Sequence, residues 1–254
     1  MDDSLNANKL AARLDAARRE GRELAPLTDE LKLGPGQGYA IQDALLRLEL
    51  EHGGRLVGRK LGLTSEAKQR SIGIATPIHG FLVERMLHAA SEPILLAHLI
   101  HPRIEPEIAF RLAADLEGSP TVEEVIAATS EVVPALEVID SRYRDFRFTL
   151  PDVLADNTSA ALVVVGEEGL PPADIDLELE EVSLSVNGEV IATATGAAVL
   201  GHPARAIAWL ASERPLRRGD LVLSGGLTEA VRLAAGQEIV AEYARLGTLR
   251  VNVE

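Results

Sequence analysis

Glu105 and Glu107 stand one residue apart in His101-Pro-Arg-Ile-Glu-Pro-Glu-Ile-Ala-Phe110, a stretch that reads as a strand. Alternate residues of a strand share a face, so both carboxylates project the same way. Like charges held that close repel unless something positive lies between them. A third acid, Glu137, sits in the apolar stretch Pro134-Ala-Leu-Glu-Val-Ile139, with no lysine within several residues. Three carboxylates with open positions between them suit a hard divalent cation such as Mg²⁺ or Mn²⁺. The plain alternative is a set of solvated strand glutamates. The apolar neighbours Ile104, Ile108, Ala109, Leu136 and Val138 count against it, because each acid would be costly to bury without a counter-ion.

Lys60, in Val57-Gly-Arg-Lys-Leu-Gly-Leu-Thr64, lies among apolar residues and glycines on an expected strand. A lysine there could stabilise an enolate or carboxylate charge, or move a proton if desolvated. It could equally be a surface lysine with a buried stem. Gly58 and Gly62 allow a ligand or backbone to approach closely. Ser224-Gly225-Gly226 ends an apolar strand, and its free N–H groups could hold a carboxylate, or it could be a tight turn. Asp156-Asn157 and His202-Pro203 read more simply as a turn and a helix start than as site residues. His79, beside the Thr76-Pro77 turn, reads as a structural histidine. No serine lies in a G-x-S-x-G context, and there is no P-loop and no G-x-G-x-x-G.

These residues need strands to position them, and the pattern supplies them. Residues 5–22 and 38–52 carry apolar positions at helical spacing, separated by a breaker-rich stretch from Pro26 to Gly38; Gly53-Gly54 ends the second helix. Residues 1–54 are thus expected to form a helical N-terminal segment, and 55–254 a strand-rich domain that holds the candidate site. Strands are expected at 56–63, 104–112, 135–139, 160–165, 221–223, 238–243 and 248–253. Asn187-Gly188 between alternating runs predicts a hairpin with a type I′ turn. Helices are expected at 121–129 and 202–212. The class is α+β, β-rich, with a sheet curled around the site.

The global numbers remove whole classes of function. The chain has 254 residues, 46% of them hydrophobic and 25% charged, enough for a real core in one large or two small domains. A net charge of −14 argues against nucleic acid as a partner, since phosphate binding needs a basic patch. Without cysteine there is no disulfide, thiolate catalysis or zinc–thiolate site. No apolar run reaches membrane-spanning length, and Met1-Asp-Asp-Ser4 lacks the basic-then-apolar pattern of a signal, so a cytoplasmic protein with no membrane partner is expected.

Five stretches together carry a resemblance. They are Gly58-Arg-Lys-Leu-Gly-Leu-Thr-Ser65, Pro102-Arg-Ile-Glu-Pro-Glu-Ile-Ala109, Pro134-Ala-Leu-Glu-Val-Ile-Asp-Ser-Arg142, Ala155-Asp-Asn157 and Leu200-Gly-His-Pro203. From about Tyr39 onward the chain resembles the hydratase/decarboxylase branch of the fumarylacetoacetate hydrolase superfamily. The resemblance implies a mixed β-sandwich roll with peripheral helices. It also implies Glu105, Glu107 and Glu137 as metal carboxylates, Lys60 as the lysine facing a small 2-oxo acid substrate, and Ser224, Gly225 and Gly226 as a loop near the ligand. Ile78 stands where hydratases of the branch carry an aspartate, and its side chain would discourage water; this, with Phe146 and Phe148, points to decarboxylation. Arg59 points the other way. The expected function is metal-dependent decarboxylation of 2-oxo-3-hexenedioate (4-oxalocrotonate) in meta-cleavage aromatic catabolism. The alternatives are hydration of 2-oxopent-4-enoate, or a non-catalytic subunit that stabilises a partner enzyme. Homo-oligomerisation and association of hydratase with decarboxylase belong to the same expectation.

Overall fold

The computed structural model describes residues 3–65, 69, 74 and 76–254. Met1 and Asp2, part of the N-terminal stretch read above, lie outside them. The fold is organised around two long apolar runs, β4 (Pro102–Leu112) and β5 (Thr129–Asp140). They pair antiparallel with Glu105 opposite Glu137 and Glu107 opposite Ala135. On the far side of β4 lies β9 (Leu221–Leu223), which runs parallel to β1 (Leu56–Gly62). The sheet continues to β2 (Ile78–Val83) at one edge. Beyond β5 it passes through β6 (Ala160–Val165) to the short β3 (Leu87–His88). A short strand, β10 (Val231–Arg232), also pairs with β4.

A second sheet holds β7 (Glu181–Val186), β8 (Glu189–Thr195), β11 (Glu238–Tyr243) and β12 (Gly247–Asn252), in the order β12-β11-β7-β8. The expected hairpin joins β7 to β8, with Asn187 and Gly188 at φ 51° and 81°. Both have the positive φ that a type I′ turn demands.

Strand alternation sorts the first sheet's residues onto two faces. Ile104, Ile108, Leu136 and Val138 pack with Leu184, Ile239 and Val251 of the second sheet and with Ile207 and Leu210 of α5 (Pro203–Glu213). The short α3 (Val122–Ala127) adds Val125 to this core. The opposite face carries Ala109, Ala135, Val163 and Leu223, covered by Leu14 of α1 (Asp3–Glu20) and Ile41 of α2 (Pro35–Glu51). Glu105, Glu107 and Glu137 share the parity of this second face.

Several elements differ from the sequence expectation. The helix at 35–51 begins earlier than the breaker-rich stretch suggested, because Pro35 occupies its first turn and the Gln37 side chain accepts the Gly34 N–H at 2.9 Å. Strand β2 was hidden by its burial. All six of its residues are buried, so no alternation marks it, and Gly80 interrupts it. Helix α4 (Leu150–Ala155) is only six residues long and opens on a proline. Asp152 secures it, accepting from the N–H and hydroxyl of both Thr28 and Thr149.

His79 of β2 is 2% exposed, stacks on Tyr39 at 4.5 Å between ring centres, and faces Trp209. Burial, then the charges of Arg214 and Arg59, lowers its pKa to about 3. The imidazole is therefore neutral in the fold but titrates near 6.5 in the unfolded chain. Its contribution is fully present above pH 6.5 and is lost as pH falls towards 3, at up to about 1.4 kcal/mol per unit. His79→Phe should therefore lose less stability than wild type between pH 7 and pH 4 in urea titrations. A stability difference that does not change with pH would refute this.

Candidate active site

The oxygens of Glu105, Glu107 and Glu137 come within 4.8 Å of one another. Glu107 and Glu137 have no exposed surface and Glu105 is 7% exposed. Glu107 Oε2 accepts the Gly225 N–H at 2.7 Å, while Glu107 Oε1 and Glu137 Oε1 accept no hydrogen bond. From the second sheet, the Tyr243 hydroxyl lies 2.7 Å from the Glu107 carbonyl and 2.9 Å from the Ala135 carbonyl. It thereby fastens β4 and β5 together at the level of the acids. Burial, then the charges of Glu137 and Glu105, holds the Glu107 carboxyl well above the usual range. Burial also raises Glu137, against the pull of Lys60. The donor set is acidic and oxygen-only, which suits a hard divalent cation.

Lys60 enters from β1, 2% exposed, with Nζ 2.7 Å from Glu137 Oε2 and 3.3 Å from the Thr158 carbonyl. That carbonyl belongs to a tight left-handed turn. Asn157, Thr158 and Ser159 have φ of 50°, 49° and 58°, a conformation unfavourable for residues with a Cβ. The Asn157 amide stabilises it by accepting from the Phe81 N–H at 2.8 Å and donating to the Phe81 carbonyl at 3.0 Å. Gly80 makes room for the turn, since a Cβ there would lie 2.6 Å from Thr158 Oγ1.

A cavity of about 240 Å³ opens onto the cluster. Lys60, Glu105, Ile78 and Gly226 all line it. Gly225 is set one step back, its N–H committed to Glu107, and Ser224 is fully buried with an unpartnered hydroxyl. The cavity wall also includes Arg103, Ile139, Val153, Thr158, Ser159 and Glu229, which the sequence reading did not place there. Arg103 had a findable signal, since it shares the strand face of Glu105 and Glu107. The turn and the Glu229 loop carried none, because only the fold brings them in. A larger cavity, about 410 Å³, lies beside α1, but its arginines are taken up by acids: Arg18 by Asp15, Arg85 by Glu49 and Arg142 by Asp156.

Other polar residues serve the frame. Asp156, pushed up to about 6 by burial against the opposing pull of Arg142, pairs with that arginine. His202 caps α5 by accepting the Ala204 N–H. Arg59 follows strand alternation away from Lys60 and is absent from the cavity wall.

Comparison with known proteins agrees with this architecture. The family described as fumarylacetoacetate (FAA) hydrolase C-terminal matches residues 65–254, and the chain belongs to it. It is 41% identical, over 98% of both chains, to a 2-keto-4-pentenoate hydratase of Burkholderia vietnamiensis. It is 40% identical, over 96% of this chain and 97% of the other, to a 4-oxalocrotonate decarboxylase of a Pseudomonas species. Among solved structures, the 4-oxalocrotonate decarboxylase from Pseudomonas putida G7, complexed with magnesium and adipate, superposes with a TM-score of 0.95 at 34% identity, covering 98% and 97% of the two chains. The strand-rich curled sheets with peripheral helices are thus the family fold, and relatives within it bear both decarboxylase and hydratase names.

Gly225 joins the loop to the acids through a single N–H at φ +107°, and a Cβ there would lie 2.1 Å from Thr64 Oγ1. Gly225→Ala should cost about 2 kcal/mol or more in chemical denaturation, from combined strain and overlap. A loss below about 0.5 kcal/mol would show that the loop yields freely.

Proposed function

We propose that this chain catalyses the metal-dependent decarboxylation of 2-oxo-3-hexenedioate to 2-oxopent-4-enoate or its enol, 2-hydroxypenta-2,4-dienoate. The observation that carries the reading is the three-carboxylate cluster at the inner end of a cavity whose wall at Ile78 is apolar. Glu105, Glu107 and Glu137 would hold Mg²⁺ (or Mn²⁺), hard cations that take carboxylate oxygens. The two carboxylate oxygens without hydrogen bonds fit the same role. Bound there, the ion supplies Lewis-acid stabilisation to the carboxylate and keto oxygens of a 2-oxo acid. The relative from Pseudomonas putida G7, complexed with magnesium and adipate, supports both the ion and a six-carbon diacid as ligand.

The chain's own residues supply the rest. Lys60 is fixed between Glu137 and the Thr158 carbonyl, and its charge stabilises the enolate oxygen that develops as CO₂ departs. Ile78, Val153 and Phe148 keep water from the conjugated carbons, so the dienolate is released rather than hydrated. Gly225 orients Glu107, and Ser224 backs the same loop.

Hydration of 2-oxopent-4-enoate is the second reading. It is favoured by Glu229, a carboxylate in the cavity wall that could carry a proton, and by similarity to the Burkholderia vietnamiensis hydratase. Supplying each substrate with Mg²⁺ separates the two. CO₂ release from 2-oxo-3-hexenedioate supports the decarboxylase, and formation of 4-hydroxy-2-oxopentanoate without CO₂ overturns it.

Glu107→Gln removes one charge from a buried like-charged set while leaving an acceptor for the Gly225 N–H. The variant should melt at or above the metal-free wild type, show no Mg²⁺-dependent rise in melting temperature, and lose at least about 100-fold in turnover. A Mg²⁺ response equal to that of wild type would remove Glu107 from the metal site.

A further inference from the structure

Among the described residues, the cavity wall carries the cations Lys60 and Arg103 and the acids Glu105 and Glu229. Lys60 is committed to Glu137. Arg103 forms no ion pair with any carboxylate of the described residues. Its guanidinium instead lies 4.4 Å over the centre of the Phe146 ring. Phe146 leans on Phe148, with ring centres 5.6 Å apart, and on His101, at 6.5 Å. A guanidinium resting on an aromatic face keeps its in-plane N–H donors free for a planar, two-oxygen acceptor.

Strand geometry sets where that acceptor lies. Arg103, Glu105 and Glu107 share one face of β4 and grow less buried in the order Glu107, Glu105, Arg103. At about 3.4 Å per residue, Arg103 stands about 7 Å from Glu105 along the strand, towards the opening. A six-carbon chain with a carboxylate at each end spans about 6–7 Å between its end carbons, given bonds of about 1.5 Å. Ile78, Ile139 and Phe148 offer the apolar wall such a chain would run along.

Resting on the metal-dependent 2-oxo acid reading above, we infer that Arg103, seated on Phe146, binds the distal carboxylate of the substrate and makes the site selective for 2-oxo diacids over monoacids of equal length. A bidentate guanidinium–carboxylate pair in a half-enclosed site discriminates by about tenfold or more. Arg103 acts on binding and alignment rather than on charge development, because the distal carboxylate loses its charge as CO₂ forms. Its removal therefore raises KM more than it lowers kcat.

The test uses two unreactive ligands that differ only in the distal group, 2-oxoadipate and 2-oxohexanoate, titrated calorimetrically into the full chain with Mg²⁺. Wild type should bind the diacid at least about tenfold more tightly. Arg103→Gln should bring the two affinities within about threefold by weakening the diacid alone, and Arg103→Lys should keep part of the preference. Equal binding of both acids by wild type, or an undiminished preference in Arg103→Gln, overturns the inference. The wild-type comparison stands even if a variant fails to fold. Repeating the wild-type titrations without Mg²⁺ isolates the underlying reading. Binding that ignores the ion sinks the metal site, whereas metal-dependent binding without diacid preference sinks only the role of Arg103.

Discussion

The repulsion among three buried carboxylates is the constraint on which the rest of the structure depends. Glu105 and Glu137 face each other across a strand pair, and Glu107 follows on the same face. Lys60 lies against Glu137. Charges that close in a medium poorer than water in screening would drive the strands apart or force a proton onto the site. The surroundings resist the first outcome. Tyr243 ties the two backbones together, Gly225 anchors Glu107, and an apolar core fills the reverse face of both strands. The fold thus holds in place a charge arrangement that is unfavourable alone and favourable once a cation is added. This is the separation between stability and function expected where a binding site is built in advance.

Much of this was legible in the sequence because strand geometry is local. Glu105 and Glu107 share a face by spacing alone, and the Asn187-Gly188 turn was readable from two residues. Pairing Glu137 opposite Glu105 needed a register that spacing does not give, although apolar neighbours on both strands implied burial. The residues least visible were those brought in by irregular backbone. Thr158 and Ser159 reach the cavity through three successive left-handed residues, a conformation no propensity rule assigns to Asn-Thr-Ser. Strand β2 was unreadable for the opposite reason, since burial on both faces erased the alternation that marks a strand.

The aromatic turn that carries Phe146 shows how the helical N-terminal segment contributes to the site. Arg147 pairs with Asp29 at 2.6 Å, and the Arg144 N–H donates to the Leu24 carbonyl at 2.8 Å. Asp145 and Phe146 both adopt positive φ. Residues between the two long helices therefore brace a strained turn on the sheet domain, and through Phe146 they bear on Arg103. The segment acts as part of the cavity's support and not as a separate appendage.

The Asn157 amide has one more effect, at the margin of the first sheet. Strand β2 lies at the margin of the first sheet, yet all six of its residues are buried, so backbone groups left unpaired there would be costly. By occupying both backbone groups of Phe81, a side chain plays the part of the missing neighbour and closes that margin at its centre. The turn that presents the Thr158 carbonyl to Lys60 therefore also completes the hydrogen bonding of β2, so the buried margin of the sheet and the placement of the lysine share one structural origin.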